Sequence, residues 1–303
     1  MPTDVTEKSL EDIIVNYLVQ NNGYELGVNT DYNREYAIDE RRLFRFLQAT
    51  QPKEMLKLGL PGNDLRRTKF FNRLQSEILK RGITDVLRKG IKDGPIHLDL
   101  FYLTPSEKNL QAQEHFQQNI FSVTRQLQYS ATAARCALDL ALFINGLPIL
   151  TCELKNTISG QNVEDAVEQY KTDRDPREPI FQFKRCLVHF AIDDQQVKFC
   201  TKLNSQKSWF LPFNKGFNDG AGNPPNPSGI KTDYMWKDIF TKNQLTNIIE
   251  NYAQVVDKGS KQIFPRYHQL AVVNALLKDV QEKGVGQRYL IQHSAGSGKS
   301  NSI

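Results

Sequence analysis

Apolar residues recur along this chain with two different periods, which separate it into predicted helices and strands. Apolar residues three and four positions apart predict helices at residues 9–20, 41–49, 64–79, 163–172 and 233–257. Alternating or continuous apolar runs predict strands at residues 96–103, 121–127, 186–192 and 197–201. Because the two classes are interspersed, the pattern predicts an α/β fold with a mixed sheet flanked by helices.

The segment from Asp139 to Lys155 is the most informative part of the chain. It predicts two apolar strands joined by an Asn-Gly-Leu-Pro turn, and these strands carry two carboxylates and a lysine, which an apolar hairpin does not need. Buried charges are costly unless they are paired or bound to a metal. Pro148 has no backbone donor and disfavours tight pairing after the turn, so we predict a loop of odd length. Such a loop places Asp139 opposite Glu153, and strand alternation puts Lys155 on the same face.

Two facing carboxylates followed by a lysine predict a divalent-cation site of the kind found in nucleases. Asp139 and Glu153 would each give an oxygen to Mg²⁺, and the backbone carbonyl of Leu154 is a further candidate ligand. The ion would activate a water against a phosphodiester, while Lys155 would orient that water or stabilise the transition state. Asp99, in another apolar strand, is an alternative metal ligand. An ordinary amphipathic hairpin with a charged solvent face is the alternative interpretation.

The end of the chain carries a second pattern, in which a predicted strand at residues 287–293 leads into Ser-Ala-Gly-Ser-Gly-Lys-Ser. The residues predicted to cradle a nucleotide phosphate with Mg²⁺ are Gly296, Gly298, Lys299 and Ser300. Gln269 is a candidate contact for adenine, with a helix-capping turn as the alternative. ATP hydrolysis also needs a downstream acidic strand, so we expect no ATPase activity from a chain that ends at Ile303.

Composition narrows the class of protein only slightly. The 39 basic and 34 acidic residues give a net charge of +5, which permits contact with nucleic acid without requiring it. Four scattered cysteines predict reduced thiols of a cytoplasmic protein and not a zinc site. The polar start and the lack of a long apolar run predict no secretory signal and no membrane contact. A basic helical face at residues 66–73 is either a phosphate contact or a solvated surface.

A nuclease-like hairpin followed by a helicase-like phosphate loop resembles the restriction (motor and endonuclease) subunit of type I restriction-modification enzymes. The resemblance is to the N-terminal portion of that subunit and covers residues 9–12, 135–139, 145–148, 153–156, 165–170, 210–214 and 267–269. It implies a PD-(D/E)xK nuclease domain in which Asp139, Glu153 and Lys155 match the catalytic positions. It also implies the truncated start of a RecA-like helicase domain, with Lys299 and Ser300 at its nucleotide site.

The resemblance assigns roles to two further residues. Glu11, on the first helix, matches an acidic residue that assists the metal site. Gln169 matches the glutamine of a Gln-x-x-x-Tyr pattern and is a candidate DNA contact, but Asp173 stands at the tyrosine position, so no tyrosine role is carried over. The expected division is a nuclease domain at residues 1–230, a helical connector at 231–260 and the start of a motor at 261–303.

The expected function is Mg²⁺-dependent endonuclease cleavage of double-stranded DNA after ATP-driven translocation by the full-length protein. The resemblance implies Mg²⁺ and ATP as cofactors, and the methylation and specificity subunits of the restriction system as partners. One alternative is a non-catalytic module with a nuclease-like fold that docks DNA or those subunits. Another is an ATP-binding helicase fragment whose hairpin has no role in cleavage.

Overall fold

The computed structural model describes residues 7–105, 109–133, 136–218 and 220–292. The α-helices in these ranges are α1 (Glu7–Gln20), α2 (Glu40–Thr50), α3 (Pro52–Leu58), α4 (Asp64–Arg81), α5 (Ile83–Lys89), α6 (Leu110–Gln117), α7 (Val163–Thr172), α8 (Lys242–Asn247) and α9 (Tyr267–Lys283). The strands are β1 (Glu25–Leu26), β2 (Tyr32–Asn33), β3 (Ile38–Asp39), β4 (Ile91–Asp93), β5 (Ile96–Leu98), β6 (Phe121–Gln128), β7 (Ala137–Ile144), β8 (Leu147–Leu154), β9 (Val188–Ile192), β10 (Val197–Cys200), β11 (Leu211–Pro212), β12 (Gln254–Val256) and β13 (Lys261–Ile263).

Seven strands of the described residues form one mixed sheet in the order β1-β6-β7-β8-β9-β10-β11. Strands β6, β7 and β8 are antiparallel neighbours, whereas β8 and β9 run parallel. Helix α7 lies in the connection between β8 and β9, as parallel neighbours require a crossover. The expectation of a mixed sheet flanked by helices is therefore confirmed.

Helices cover both faces of this sheet. Leu10 of α1 shares one hydrophobic core with Leu150 and Leu154 of β8. Tyr170 of α7 shares a second core with Phe143 of β7. Because side chains alternate between faces along a strand, Thr151 and Glu153 lie on the opposite side from Leu150 and Leu154, on the side covered by α7.

Local capping explains why α7 begins where the sequence pattern predicts it. The side chain of Asn162 accepts the backbone N–H of Glu164 at 2.8 Å, and Asp165 accepts the N–H of Asn162 at 2.7 Å. This reciprocal arrangement satisfies donors that the first turn leaves unpaired. The predicted helix at residues 163–172 is confirmed, and those at 9–20, 41–49 and 64–79 are confirmed with ends that differ by two residues or fewer.

Three predicted elements differ from the structure. The strand predicted at residues 96–103 ends at Leu98, and among the described residues β5 pairs only with β4, in a separate hairpin. Residues 287–292 form no regular structure, and no strand of the described residues pairs with them, so the predicted strand there is wrong in this part. The segment 233–257 contains α8 and two π-helical turns, but it ends in strand β12.

Residues just after 261, where the motor domain was expected to begin, pack into the main core. The Gln262 side chain of β13 donates to the carbonyls of Cys186 and Leu187 at 2.8 and 2.7 Å. Phe264 packs against the rings of Phe190 and Phe213. The domain boundary near residue 261 stays a prediction, while the packing shows that side chains beyond it contribute to the core around β9 and β10.

The structure also bears on the cysteines and on membrane contact. Cys136, Cys152, Cys186 and Cys200 are all free thiols. In the four described ranges, no helix combines the length and the apolar character that crossing a membrane would require.

Candidate metal and catalytic site

Strands β7 and β8 are joined by a two-residue turn at Asn145 and Gly146, so the predicted odd-length loop is wrong. Both residues have positive φ angles, of 50° and 79°, as in the turns that match the twist of short hairpins. The Asn145 amide donates to the carbonyl of Leu100 at 3.0 Å and fixes the turn. A Cβ atom at Gly146 would lie 2.3 Å from the carbonyl oxygen of Asp39, so only glycine fits there.

The two carboxylates still face each other, but a β-bulge in β8 produces this arrangement and not the length of the loop. Ile149 is the residue of β8 that has no partner on β7. One extra residue shifts every later pair by one position. Leu140 consequently pairs with Cys152, and the next positions in this register are Asp139 and Glu153.

Asp139 and Glu153 lie in direct contact at the open end of the hairpin. The carboxylate of Asp139 accepts the backbone N–H of Leu154 at 2.7 Å. Glu153 is completely buried. Burial raises the pKa of Glu153 to about 8, and the adjacent charge of Asp139 contributes to the increase, while Arg174 opposes it. A divalent cation would neutralise these two neighbouring carboxylates.

Arg174 completes the surroundings of Glu153. Its Nε donates to Oε1 of Glu153 at 2.6 Å, and its Nη2 donates to the carbonyl of Ala137 at 2.9 Å. The other carboxylate oxygen, Oε2, is buried and has no hydrogen-bond partner within the described ranges. Sequence reasoning missed this arginine because a single basic residue after a helix carries no signal of its own.

Lys155 directly follows β8. Its backbone N–H donates to the carbonyl of Ile192 at 2.9 Å and continues the ladder with β9. Strand alternation therefore places its side chain, which is only 8% exposed, on the side of Glu153. Two residues before Glu153, the Thr151 hydroxyl bonds to the Tyr170 hydroxyl at 2.7 Å and to His189 at 2.8 Å. These contacts fix the strand beneath the site.

Glu11 reaches the same end of the sheet through neighbouring side chains. Its Oε1 accepts Nε of Arg125 at 2.6 Å, and its Oε2 accepts the amide of Gln126 at 2.5 Å. The same Gln126 amide donates to Asp139 at 3.3 Å, and the Gln126 backbone has a φ of 46°. A positive φ in a strand is unusual for a residue other than glycine. Gln126, which sequence reasoning also missed, therefore links Glu11 to Asp139.

A cluster of three or more His, Cys, Asp or Glu side chains able to hold a metal does not occur within the described ranges. The site is therefore a pair of carboxylates, Asp139 and Glu153, to which Glu11 is connected through Gln126. One or two carboxylates and several waters are the usual protein ligands of Mg²⁺. The backbone of Leu154, the other proposed ligand, lies next to this pair.

The candidate DNA contact, Gln169, and the alternative metal ligand, Asp99, do not belong to the carboxylate pair. Gln169 is half-buried on α7, where the neighbouring Tyr170 points into the core. Asp99 follows β5, outside the seven-stranded sheet of the described residues, and its carboxylate interacts with His97 at 3.0 Å. The structure thus brings Asp139 and Glu153 together and places Asp99 in a different hairpin.

The predicted nucleotide site is described only at Gln269. Its side-chain oxygen accepts the backbone N–H of Arg266 at 2.9 Å, so the residue caps α9 as the alternative interpretation proposed. Contact with adenine stays a prediction. The phosphate-loop residues Gly296, Gly298, Lys299 and Ser300 lie outside the described residues, as do residues 1–6 and Arg135.

The chain thus combines an α/β fold with a pair of carboxylates at the open end of a central hairpin. Residues 4–208 match the family described as type I restriction enzyme R protein N terminus. The chain belongs to this family, as the resemblance of its motifs predicted.

Two relatives from Methanocaldococcus jannaschii are each 24% identical to the chain. The "Putative type I restriction enzyme MjaIXP endonuclease subunit" matches over 188 residues, which are 54% of this chain and 17% of the relative. The "Putative type I restriction enzyme MjaVIIIP endonuclease subunit" matches over 209 residues, 63% of this chain and 18% of the relative. The chain thus spans less than a fifth of either relative.

Proposed function

We propose that this chain is the Mg²⁺-dependent endonuclease part of a type I restriction enzyme R subunit, with a PD-(D/E)xK fold. The main support is the contact between Asp139 and the buried Glu153, followed by Lys155 on the same side of the strand. Membership of the R-protein family supports the same reading. The mixed sheet, with α1 and α7 on its faces, agrees with this fold.

The residues present fit a Mg²⁺ ion. Asp139 and Glu153 offer carboxylate oxygens, and the buried Oε2 of Glu153 lacks a partner within the described ranges. Leu154 would add its carbonyl oxygen, and Glu11 would support the pair through Gln126. When bound, Mg²⁺ would supply a Lewis acid for the phosphate and lower the pKa of a coordinated water.

The protein's own groups have separate roles in this proposal. The Lys155 ammonium would orient the attacking water or stabilise charge that develops on the phosphate oxygens. The surrounding core would exclude bulk water from the Glu153 side, which strengthens these electrostatic interactions. Gln169, half-buried on α7, would contact the DNA.

Family membership and the far greater length of the two relatives support a wider activity for the full-length protein. In the full-length protein, a RecA-like motor that begins near residue 261 would bind ATP through the phosphate loop and Gln269. Cleavage of double-stranded DNA would follow translocation. The methylation and specificity subunits of the same restriction complex would be the partners, in the cytoplasm.

Cleavage by the full-length R subunit in its restriction complex tests this function. Lys155→Ala should abolish Mg²⁺-dependent cutting of circular DNA and leave ATP hydrolysis unchanged, because the lysine lies in the hairpin and not in the motor. Lys207→Ala, at an exposed lysine on the loop after β10, is the matched control and should cut normally. Normal cutting by Lys155→Ala would contradict the proposal and favour a docking module without catalysis.

A further inference from the structure

The guanidinium of Arg174 is held at three points. Besides its bonds to Glu153 and to the carbonyl of Ala137, its Nη1 donates to the hydroxyl of Tyr129 at 3.4 Å. The guanidinium carbon also lies 5.6 Å from the centre of the Tyr129 ring. The side chain is only 6% exposed. An arginine fixed in this way has little freedom to move, because its planar fork is already oriented.

These three contacts reach each strand that contributes to the site. Glu153 lies on β8, and Ala137 begins β7 two residues before Asp139. Tyr129 directly follows β6, the strand that carries Gln126. Arg174 therefore ties together the ends of β6, β7 and β8 where the carboxylates meet.

The hydrogen bond from Arg174 makes the two carboxylate oxygens of Glu153 different from each other. Oε1 is occupied by Nε at 2.6 Å, whereas Oε2 is left without a hydrogen-bond partner in the part of the chain that the structure describes. A carboxylate held through one oxygen presents the other in a fixed direction. Buried polar atoms usually have partners, and Oε2 is one of ten side-chain atoms in the described residues that lack one. Its place beside the second carboxylate, that of Asp139, suits it to bind a cation.

We propose that Arg174 is a positioning residue of the metal site, which holds Glu153 so that Oε2 can bind the cation beside Asp139. This inference rests on the proposed function of the hairpin and adds a residue that acts without contact to DNA or metal. Groups that hold metal ligands in place typically contribute about 10- to 100-fold to metal affinity. The alternative is a buried ion pair that supports the fold alone.

Mn²⁺ titration of the 303-residue chain, followed by electron paramagnetic resonance, separates these roles. Arg174→Met should weaken Mn²⁺ binding by about 10- to 100-fold and change the spectrum of the bound ion, because Glu153 loses its fixed orientation. Arg174→Lys should recover part of the affinity by keeping one charged contact. Arg177→Met is the matched control, since this arginine of the same loop is 90% exposed and pairs with Asp175 at the surface.

The outcomes distinguish the inference from the proposed function. If the wild-type chain binds no Mn²⁺, the proposed function and the inference fail together. If the wild-type chain binds Mn²⁺ and folded Arg174→Met binds it with the same affinity and spectrum, the inference alone is overturned. If circular dichroism shows that Arg174→Met does not fold, Arg174→Lys decides: weaker binding supports positioning, and unchanged binding and spectrum overturn it.

Discussion

The carboxylate of Asp139 on β7 accepts the backbone N–H of Leu154, the residue after Glu153 on β8, at 2.7 Å. Two carboxylates are thereby held in contact although one of them is completely buried. Like charges in such a place oppose folding, and they occur most often where a protein needs them for chemistry.

Removing the negative charge of Asp139 should stabilise the metal-free chain. In Asp139→Asn the amide oxygen can still accept the N–H of Leu154, while the repulsion with Glu153 disappears and the bond from Arg174 to Glu153 remains. Above pH 8, where Glu153 is ionised as well, we expect the free energy of unfolding to rise by about 1 kcal/mol in urea denaturation with a chelator present. Asp99→Asn, away from the site, is the control and should show no such gain. A clear loss of stability in Asp139→Asn would contradict the proposed repulsion.

Acid should destabilise the fold through His189. Burial lowers the pKa of His189 from its ordinary 6.5 to about 3. Between these values the unfolded chain binds a proton that the folded chain does not, so stability falls as the pH decreases. The His189 contribution to this loss approaches about 1.4 kcal/mol per pH unit.

The variant His189→Asn tests this dependence, because an amide can still bond to Thr151. Urea denaturation at several pH values between 6.5 and 3 should show a shallower loss of stability than in the wild-type chain. His97→Asn, at a half-exposed histidine, is the control and should retain the wild-type slope. Equal slopes in His189→Asn and the wild-type chain would rule out a neutral buried His189.

The hairpin turn should depend on Gly146. In Gly146→Ala a Cβ atom would lie 2.3 Å from the carbonyl oxygen of Asp39 and 2.7 Å from the backbone nitrogen of Leu43. Gly160→Ala is the matched control, because Gly160 has a similar φ of 80° and no atom of the described residues lies within 4 Å of the added Cβ. The control should lose about 1–2 kcal/mol of stability in urea denaturation, from backbone strain alone.

Gly146→Ala should lose clearly more than its control, since the neighbouring backbone must move as well. It should also weaken Mn²⁺ binding if the turn sets the register of the two carboxylates. Equal losses of stability in the two alanine variants would show that the contact with Asp39 does not constrain the turn.

The sequence predicted elements whose signals are local. Helix α7 is predicted at its observed ends because its apolar residues recur at helical spacing within the segment itself. The Asn162 cap that the structure shows is also local to that segment. The facing of Asp139 and Glu153 was also predicted, but for the wrong reason. Ile149 reads as an ordinary strand residue, and only its pairing with the neighbouring strand reveals the bulge.

Contacts between distant segments could not be predicted in this way. Arg174 lies 21 residues from Glu153, and Gln126 lies 115 residues from Glu11. Their roles arise when the sheet brings the ends of β6, β7 and β8 together. Similarly, the packing of Gln262 against the backbone before β9 depends on tertiary structure and leaves no local pattern.

Calorimetric titration of the chain with Mn²⁺ tests the central claim most directly, comparing the wild-type protein with Asp139→Ala and Asp99→Ala. Binding by the wild-type chain and Asp99→Ala, together with its loss in Asp139→Ala, is the result expected of a metal site at the β7–β8 hairpin. Equal binding by all three proteins, or binding by none, would contradict a metal-dependent nuclease site built on Asp139 and Glu153.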